Sequence, residues 1–156
     1  MVEHVTFAGS PAARSPDVIT RIYLLLFPIP VVCFVGAMAT DAVYANSAYL
    51  MWLHFSEWLI AVGLAVGALA ALVLVVDFIV HRAVRHGAIG WLHLLLFFGA
   101  LLVELFDALV HSRDGWTAVV PTGMTLSVIG ALLALGAVAA MWRAPLVPLG
   151  RMEGRS

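Results

Sequence analysis

Four long apolar runs dominate this chain of 156 residues. They cover residues 22–43, 50–80, 88–110 and 117–142, and each can cross a bilayer core, which needs about 20 helical residues. Apolar and polar residues do not alternate with the period of two typical of strands, and lipid admits only helices or closed barrels. The sequence therefore predicts an all-α integral membrane protein.

Composition extends this prediction to the whole chain. Hydrophobic residues make up 63% of it and charged residues 11%, whereas soluble domains carry about 25% charged residues. The runs are joined by short connections, which place consecutive helices antiparallel. We expect one domain over 1–156, a four-helix up-down bundle in lipid with short flexible tails at 1–17 and 145–156. The lack of a basic patch argues against a nucleic-acid partner.

The arginines predict the orientation of the bundle. Only one of them, Arg113, lies in the first or third connection. The other seven lie in the tails and the second connection: Arg14, Arg21, Arg82, Arg85, Arg143, Arg151 and Arg155. Because positive residues concentrate on the cytoplasmic side, we expect both termini in the cytoplasm and a multi-pass protein of the inner (cytoplasmic) membrane.

Ionisable residues inside the third run share one side of the predicted helix. His93, Glu104, Asp107 and His111 are separated by 11, 3 and 4 residues, which places them within about 40° of His93 at 3.6 residues per turn. Ionisable groups at membrane depth are costly and usually face the bundle interior. The spacing therefore predicts a polar stripe directed at the other helices.

The outer ends of the first three runs hold further polar residues. His54 and Glu57 are three residues apart and can meet on one helix face, and Asp41 lies at a similar height. We call the predicted set the outer cap: Asp41, His54, Glu57, Glu104, Asp107 and His111. His93 lies apart from the cap, about 7–8 Å inside the inner boundary by helix rise.

Three kinds of site fit the outer cap. A b-type haem needs two axial ligands, and His54 and His111 are the histidines at matching height. His93 is a third candidate ligand, without a histidine partner at its own height. Alternatively, histidine and carboxylate ligands suit several divalent metals, or these groups pass protons or bind quinol at the membrane boundary.

The other polar residues of the cap support each of these sites. We expect Asp41, Glu57, Glu104 and Asp107 to act as secondary partners of the ligands or as proton acceptors. Arg113, just beyond the cap, is a further secondary partner in this interpretation. A purely structural interpretation is equally open, in which these groups pair with one another and with Arg113 and only fix the helix register.

Several protein classes are excluded by missing motifs. The sequence has no G-x-x-x-x-G-K-[ST], G-x-G-x-x-G or G-x-S-x-G motif, and no C-x-x-C-H motif for covalent haem. A nucleotide-driven enzyme or a soluble-substrate hydrolase is therefore not expected. Small-residue faces, such as Gly63 with Gly67 and Gly123 with Ser127 and Gly130, indicate helix packing within the bundle or in a homo-oligomer.

Short motifs in three runs resemble a known family. Phe27-Pro28-Ile29 opens the first run, Trp91-Leu92-His93 opens the third, and Pro121 to Ser127 lies in the fourth. This pattern, over residues 20–140, resembles DUF2231, a bacterial family of membrane proteins of unknown function. Members of that family tend to be encoded beside, or fused to, redox proteins such as quinoprotein sugar dehydrogenases and Rieske-type proteins.

The resemblance implies a redox context for the chain. It favours a small membrane subunit of an electron-transfer system that anchors a periplasmic dehydrogenase or electron carrier, with haem b or quinone as candidate cofactors. Such a subunit would transfer electrons or have no catalytic role of its own. The alternatives are a cofactor-free structural or assembly subunit and, less favoured, a small proton- or ion-conducting protein.

Overall fold

Nearly all residues that the structure describes are helical. The computed structural model describes residues 18–80, 90–113 and 119–143, and these ranges contain no strand. The predicted all-α class is thus confirmed. The tails, most of the second connection and its arginines lie outside the described residues, so the orientation of the termini stays a prediction.

Five α-helices build four candidate membrane spans. The helices are α1 (Val18–Leu26), α2 (Pro28–Ser47), α3 (Leu50–Val80), α4 (Trp91–Arg113) and α5 (Met124–Arg143). Within the described residues, four segments are long and apolar enough to cross a membrane: Val18–Ser47, Leu50–Asp77, Trp91–Arg113 and Val119–Arg143. The helices α1 and α2 together form the first span, so the predicted four-helix membrane bundle is observed.

The first span is interrupted at Phe27, between α1 and α2. Pro28 occupies the first position of α2, where its missing N–H removes no hydrogen bond that a helix interior needs. The Phe27 N–H still donates to the Tyr23 carbonyl over 2.9 Å, so the chain turns without leaving the span. Tyr23 and Phe27, on either side of this last turn of α1, are both buried in the bundle.

A two-residue connection joins the first span to α3. Ala48 has a left-handed backbone, with φ at 56°, and its N–H donates to the Tyr44 carbonyl over 2.8 Å. This cap ends α2 and reverses the chain, so that α3 begins at Leu50. The first two spans are therefore antiparallel neighbours, as the short connection predicts.

Small side chains bring α4 and α5 close together. Ala100 of α4 and Ala131, Ala134 and Ala137 of α5 are all buried, and such residues let helix backbones approach closely. Large apolar side chains point outward instead, including Leu25, Val32, Phe55, Leu95 and Leu132. An apolar exterior around a partly polar interior suits lipid as the surrounding solvent.

Candidate functional site: a buried acid–histidine cluster

The inward face of α4 carries the polar stripe. Its buried residues are His93, Phe97, Ala100, Glu104, Asp107 and His111. Each of the four ionisable members is at most 2% exposed. The helical spacing therefore correctly predicts which side of α4 faces the other spans.

Four residues from three helices form the centre of the site, which we call the acid–histidine cluster: Asp41 of α2, Asp107 and His111 of α4, and Ser127 of α5. His111 Nε2 lies 3.2 Å from Asp41 Oδ1. On the other side of the ring, His111 Nδ1 lies 3.0 Å from the Asp107 carbonyl oxygen and 3.1 Å from Asp107 Oδ1. All four residues are buried, so these contacts are sheltered from both lipid and water.

The hydroxyl of Ser127 is shared between the two aspartates. It hydrogen-bonds to Asp41 Oδ2 and lies 2.7 Å from Asp107 Oδ2. A hydroxyl has one proton to donate, and an ionised carboxylate only accepts. Both contacts are hydrogen bonds only if one of the two carboxyl groups carries a proton and donates it to Ser127. The hydroxyl also lies 3.2 Å from the Gly123 carbonyl oxygen, so three acceptors surround one donor, an arrangement suited to a shared proton.

The imidazole of His111 holds a further proton. The Asp107 main-chain carbonyl can only accept, so His111 Nδ1 donates to it. The contact between His111 Nε2 and Asp41 Oδ1 then requires a second proton, either on the ring or on the carboxyl group. The cluster is accordingly a chain of protonatable groups that runs from Asp107 through Ser127 and Asp41 to His111.

Glu104 lies one helical turn before Asp107 on the same face of α4. It is 0% exposed, and neither of its carboxyl oxygens has a hydrogen-bond partner among the described residues. It interacts electrostatically with Asp41, Asp107 and His111. A buried, unpaired negative charge is expensive at membrane depth, so Glu104 carries a proton or balances a nearby cation.

Glycines on α5 make room for this arrangement. A Cβ at Gly130 would overlap the Glu104 carboxyl group, and a Cβ at Gly123 would lie 3.1 Å from His111 Cε1. A larger residue at Gly130 would force the Glu104 side chain to move, and one at Gly123 would crowd the His111 ring. The small-residue face predicted for the fourth run thus accommodates the polar side chains of α4.

The predicted outer cap divides into a buried part and an exterior part. Asp41, Asp107 and His111 come together, with Glu104 beside them. His54 and Glu57 instead pair with each other over 3.2 Å, with side chains 66% and 35% exposed. That pair lies on the outside of the bundle and does not join the acid–histidine cluster.

The remaining sequence-derived candidate, Arg113, is exposed at the last residue of α4. Its position at the helix end suits the negative pole of the helix dipole. In the buried cluster, the basic group beside the carboxylates is His111 rather than Arg113.

His93 forms a second, separate polar contact toward the other end of the bundle. Its Nδ1 donates to the Ala137 carbonyl over 2.8 Å, which leaves Nε2 as the acceptor for the Tyr23 hydroxyl. Phe27 and Phe97 pack against the imidazole ring. Both ring nitrogens are therefore engaged by protein groups in an aromatic surrounding.

These contacts bear on the predicted haem site. His93 and His111 each have both ring nitrogens engaged by protein groups, so an iron ion would have to displace one of those contacts. His54, the height-matched partner expected for His111, has an exposed side chain. The described residues do not offer two histidines ready to ligate one haem, and haem b and quinone stay predictions.

Sequence reasoning did not identify Ser127 and Tyr23 as members of polar contacts. Ser127 lies on the small-residue face between Gly123 and Gly130, where a hydroxyl looks like a packing residue. Tyr23 lies four residues before Phe27 and resembles one more aromatic residue of an apolar run. A usable signal was available for Ser127, because it is a polar residue facing inward at the height of Asp107.

The fold and the cluster define a class: a multi-pass helical membrane protein with ionisable groups buried between its spans. Within that class, the chain belongs to the DUF2231 family, described as predicted membrane proteins, whose model matches residues 23–144. The match includes the whole acid–histidine cluster and confirms the family resemblance of the sequence. No curated protein and no solved structure shows significant similarity to the chain.

Proposed function

We propose that this protein is a small bacterial inner-membrane subunit that binds and exchanges protons at membrane depth within a redox assembly. The observation that supports the proposal most directly is the position of Ser127 between Asp41 and Asp107. Two carboxyl groups that share one hydroxyl need a proton between them. Such an arrangement stores a proton where charge is otherwise costly.

The same contacts provide a route for the proton to move. A hydroxyl both donates and accepts, so Ser127 can take a proton from one aspartate as it passes its own to the other. Asp41 Oδ1 faces His111 Nε2 over 3.2 Å, which extends the route to the imidazole. Proton transfer from Asp107 to His111 therefore requires no large movement of any side chain.

The location of the cluster suits an exchange with the outer side of the membrane. Asp41 lies less than two turns from the end of α2, and His111 lies two residues before the end of α4. With the orientation that the arginines predict, these ends face the periplasm. A subunit that anchors a periplasmic dehydrogenase or electron carrier could there accept the protons that quinol oxidation releases.

Proton conduction across the whole bundle is less well supported. The inward face of α4 carries Phe97 and Ala100 between His93 and Glu104, and both are buried apolar residues. No described side chain on that stretch of the face can relay a proton. The geometry therefore favours local proton binding at one end over a continuous path.

A purely structural subunit is the alternative that the contacts also favour, because the cluster joins α2, α4 and α5. Infrared spectroscopy of the protein in nanodiscs distinguishes a proton-binding subunit from a purely structural one. Proton storage predicts a carbonyl-stretch band of a protonated carboxylic acid that shifts in D₂O and changes with pH. The band should weaken in Asp41→Asn and in Asp107→Asn and stay unchanged in Glu57→Gln, an acid outside the cluster.

Glu104 can also give a carboxylic-acid band. The variant Glu104→Gln identifies that band and separates it from the bands of Asp41 and Asp107. A band that persists unchanged in both aspartate variants, or no acid band in the wild type, would contradict proton binding by the cluster. Loss of stability in the variants without any acid band would favour the structural subunit.

Haem b stays a separate prediction within the redox role. The visible spectrum of the purified protein, oxidised and then reduced with dithionite, tests it directly. A b-type α-band that disappears in His54→Ala and His111→Ala would support the height-matched pair as ligands. A featureless spectrum from protein made with ample haem would contradict the haem prediction and leave the proton-binding proposal untouched.

A further inference from the structure

We propose that Asp41, Asp107 and His111 also bind one divalent transition-metal ion, such as Zn²⁺, in exchange for the protons of the cluster. This inference rests on the proposed function and deepens it, because it names the cation that competes with the protons.

The three side chains converge tightly enough to surround an ion. Each offers one ligand atom, and these atoms all lie within 4.8 Å of one another. Oxygen and nitrogen ligands lie about 2.0–2.2 Å from Zn²⁺, so ligand atoms on opposite sides of the ion are about 4 Å apart. Small side-chain shifts would bring the three atoms into that range.

His111 is oriented as a metal ligand would be. A ligating histidine almost always donates its second ring N–H to a carboxylate or a backbone carbonyl, which fixes the tautomer. His111 Nδ1 makes this contact with the Asp107 carbonyl oxygen over 3.0 Å. Nε2 is then the ligating nitrogen, and its nearest acid oxygen is Asp41 Oδ1 at 3.2 Å.

Ser127 orients the two aspartates in the same way. Its hydroxyl contacts the Oδ2 atom of Asp41 and the Oδ2 atom of Asp107, so both Oδ1 atoms face His111. Asp41 Oδ1 lies 3.2 Å from Nε2 and Asp107 Oδ1 lies 3.1 Å from Nδ1, and an ion would replace the proton between Asp41 Oδ1 and Nε2. Asp107 Oδ1 is buried without a hydrogen-bond partner among the described residues. Each ligand therefore has one atom held by the protein and another that can face the metal.

A second observation points independently to a missing positive charge. Glu104 is fully buried beside the cluster, and both its carboxyl oxygens lack hydrogen-bond partners within the part of the chain that the structure describes. Three carboxyl groups and one imidazole lie close together, and a dication offsets the charge that the acids gain when they lose their protons. Glu104 is thus a charge partner of the ion beside the three ligands.

The ligand types select a class of metal. One imidazole and two carboxylates, without a thiolate, form a mixed nitrogen and oxygen site. Imidazole favours Zn²⁺ and Fe²⁺, and carboxylates also suit Mn²⁺. Ligands bind metals in their deprotonated forms, so binding releases protons and becomes weaker at low pH.

Metal binding is tested on the full chain in nanodiscs after chelator treatment. Equilibrium dialysis against Zn²⁺ should give one tightly bound ion per chain. Ser127→Ala should weaken binding roughly 10–100-fold, the range for loss of an outer partner, and Asp107→Asn or His111→Gln should weaken it further. The matched control is the double variant His54→Ala with Glu57→Gln, an exposed histidine–carboxylate pair, which should leave tight binding unchanged.

Two further measurements guard against misfolding and surface binding. Circular dichroism checks that each variant keeps its helices, and electron paramagnetic resonance of bound Mn²⁺ should show nitrogen coupling that His111→Gln removes. Unchanged Zn²⁺ affinity in folded Asp107→Asn, or loss of binding only in the His54 and Glu57 control, would overturn the metal site.

The infrared band of the protonated carboxylic acid distinguishes failure of the metal site from failure of the proposed proton binding. Zn²⁺ should remove the part of the band that Asp41→Asn and Asp107→Asn also remove. An acid band without Zn²⁺ binding would leave proton storage intact and overturn the metal site. If the metal-free protein shows no acid band and still binds Zn²⁺, the exchange of protons for the metal is overturned.

Discussion

The hydroxyl of Tyr23 donates a hydrogen bond to Nε2 of His93 across the interface between α1 and α4. The two residues are 70 positions apart in sequence, and both are at most 1% exposed. The ring orientation follows from the opposite nitrogen, which donates to the Ala137 carbonyl of α5 over 2.8 Å. One imidazole therefore links the first, third and fourth spans.

Tyr23→Phe should destabilise the bundle by about 1–2 kcal/mol, because it leaves Nε2 of His93 buried without a donor. Unfolding by SDS in mixed micelles measures this loss. Tyr49→Phe is the matched control, since Tyr49 is exposed, and should have little effect. Equal stability of the two variants would show that the Tyr23–His93 contact contributes nothing measurable.

Ser127→Ala should lower stability by about 1–3 kcal/mol, because Asp41 and Asp107 lose the hydroxyl that they share. Thr125→Ala on the same helix is the control. The Thr125 hydroxyl contacts only the Pro121 carbonyl in the structure and is exposed, so its loss should stay within about 0.5 kcal/mol. A larger loss in Thr125→Ala than in Ser127→Ala would contradict the buried role of Ser127.

Much of the fold could be predicted from the sequence because lipid restricts the choices so strongly. Long apolar runs can only form spans, and helical periodicity then identifies the inward side of α4 from four ionisable residues. These inferences need only the geometry of one helix at a time.

The site was harder to predict because it depends on how helices rotate against each other. His54 and Asp41 lie at comparable heights, yet only Asp41 faces the interior, and height alone does not reveal that difference. The role of Ser127 depends on the small residues Gly123 and Gly130, which allow α5 to approach α4. Contacts between helices are therefore the part that a single-helix argument misses.

Gly130→Ala should destabilise the protein by about 1–3 kcal/mol, because the new methyl group would overlap the Glu104 carboxyl group. Gly99→Ala is the control: its nearest neighbour, Leu133, would be at an ordinary distance of 3.7 Å. Combining Gly130→Ala with Glu104→Ala should recover part of the loss, because the smaller side chain vacates the space. Additive losses in the double variant would contradict direct contact between the two positions.

Cysteine labelling tests the predicted orientation of the bundle. Cys33 is buried, so a Cys33→Ala background isolates new cysteines at Ser47, the end of α2, and at Trp142, near the end of α5. Trp142 is exposed and Ser47 is half-buried, and the up-down arrangement puts them on opposite sides of the membrane. Because the arginine bias predicts cytoplasmic termini, an impermeant maleimide should label Ser47→Cys in intact spheroplasts and Trp142→Cys only after permeabilisation. The reverse pattern would invert the topology and place the acid–histidine cluster near the cytoplasm, which would remove the periplasmic step from the proposed function.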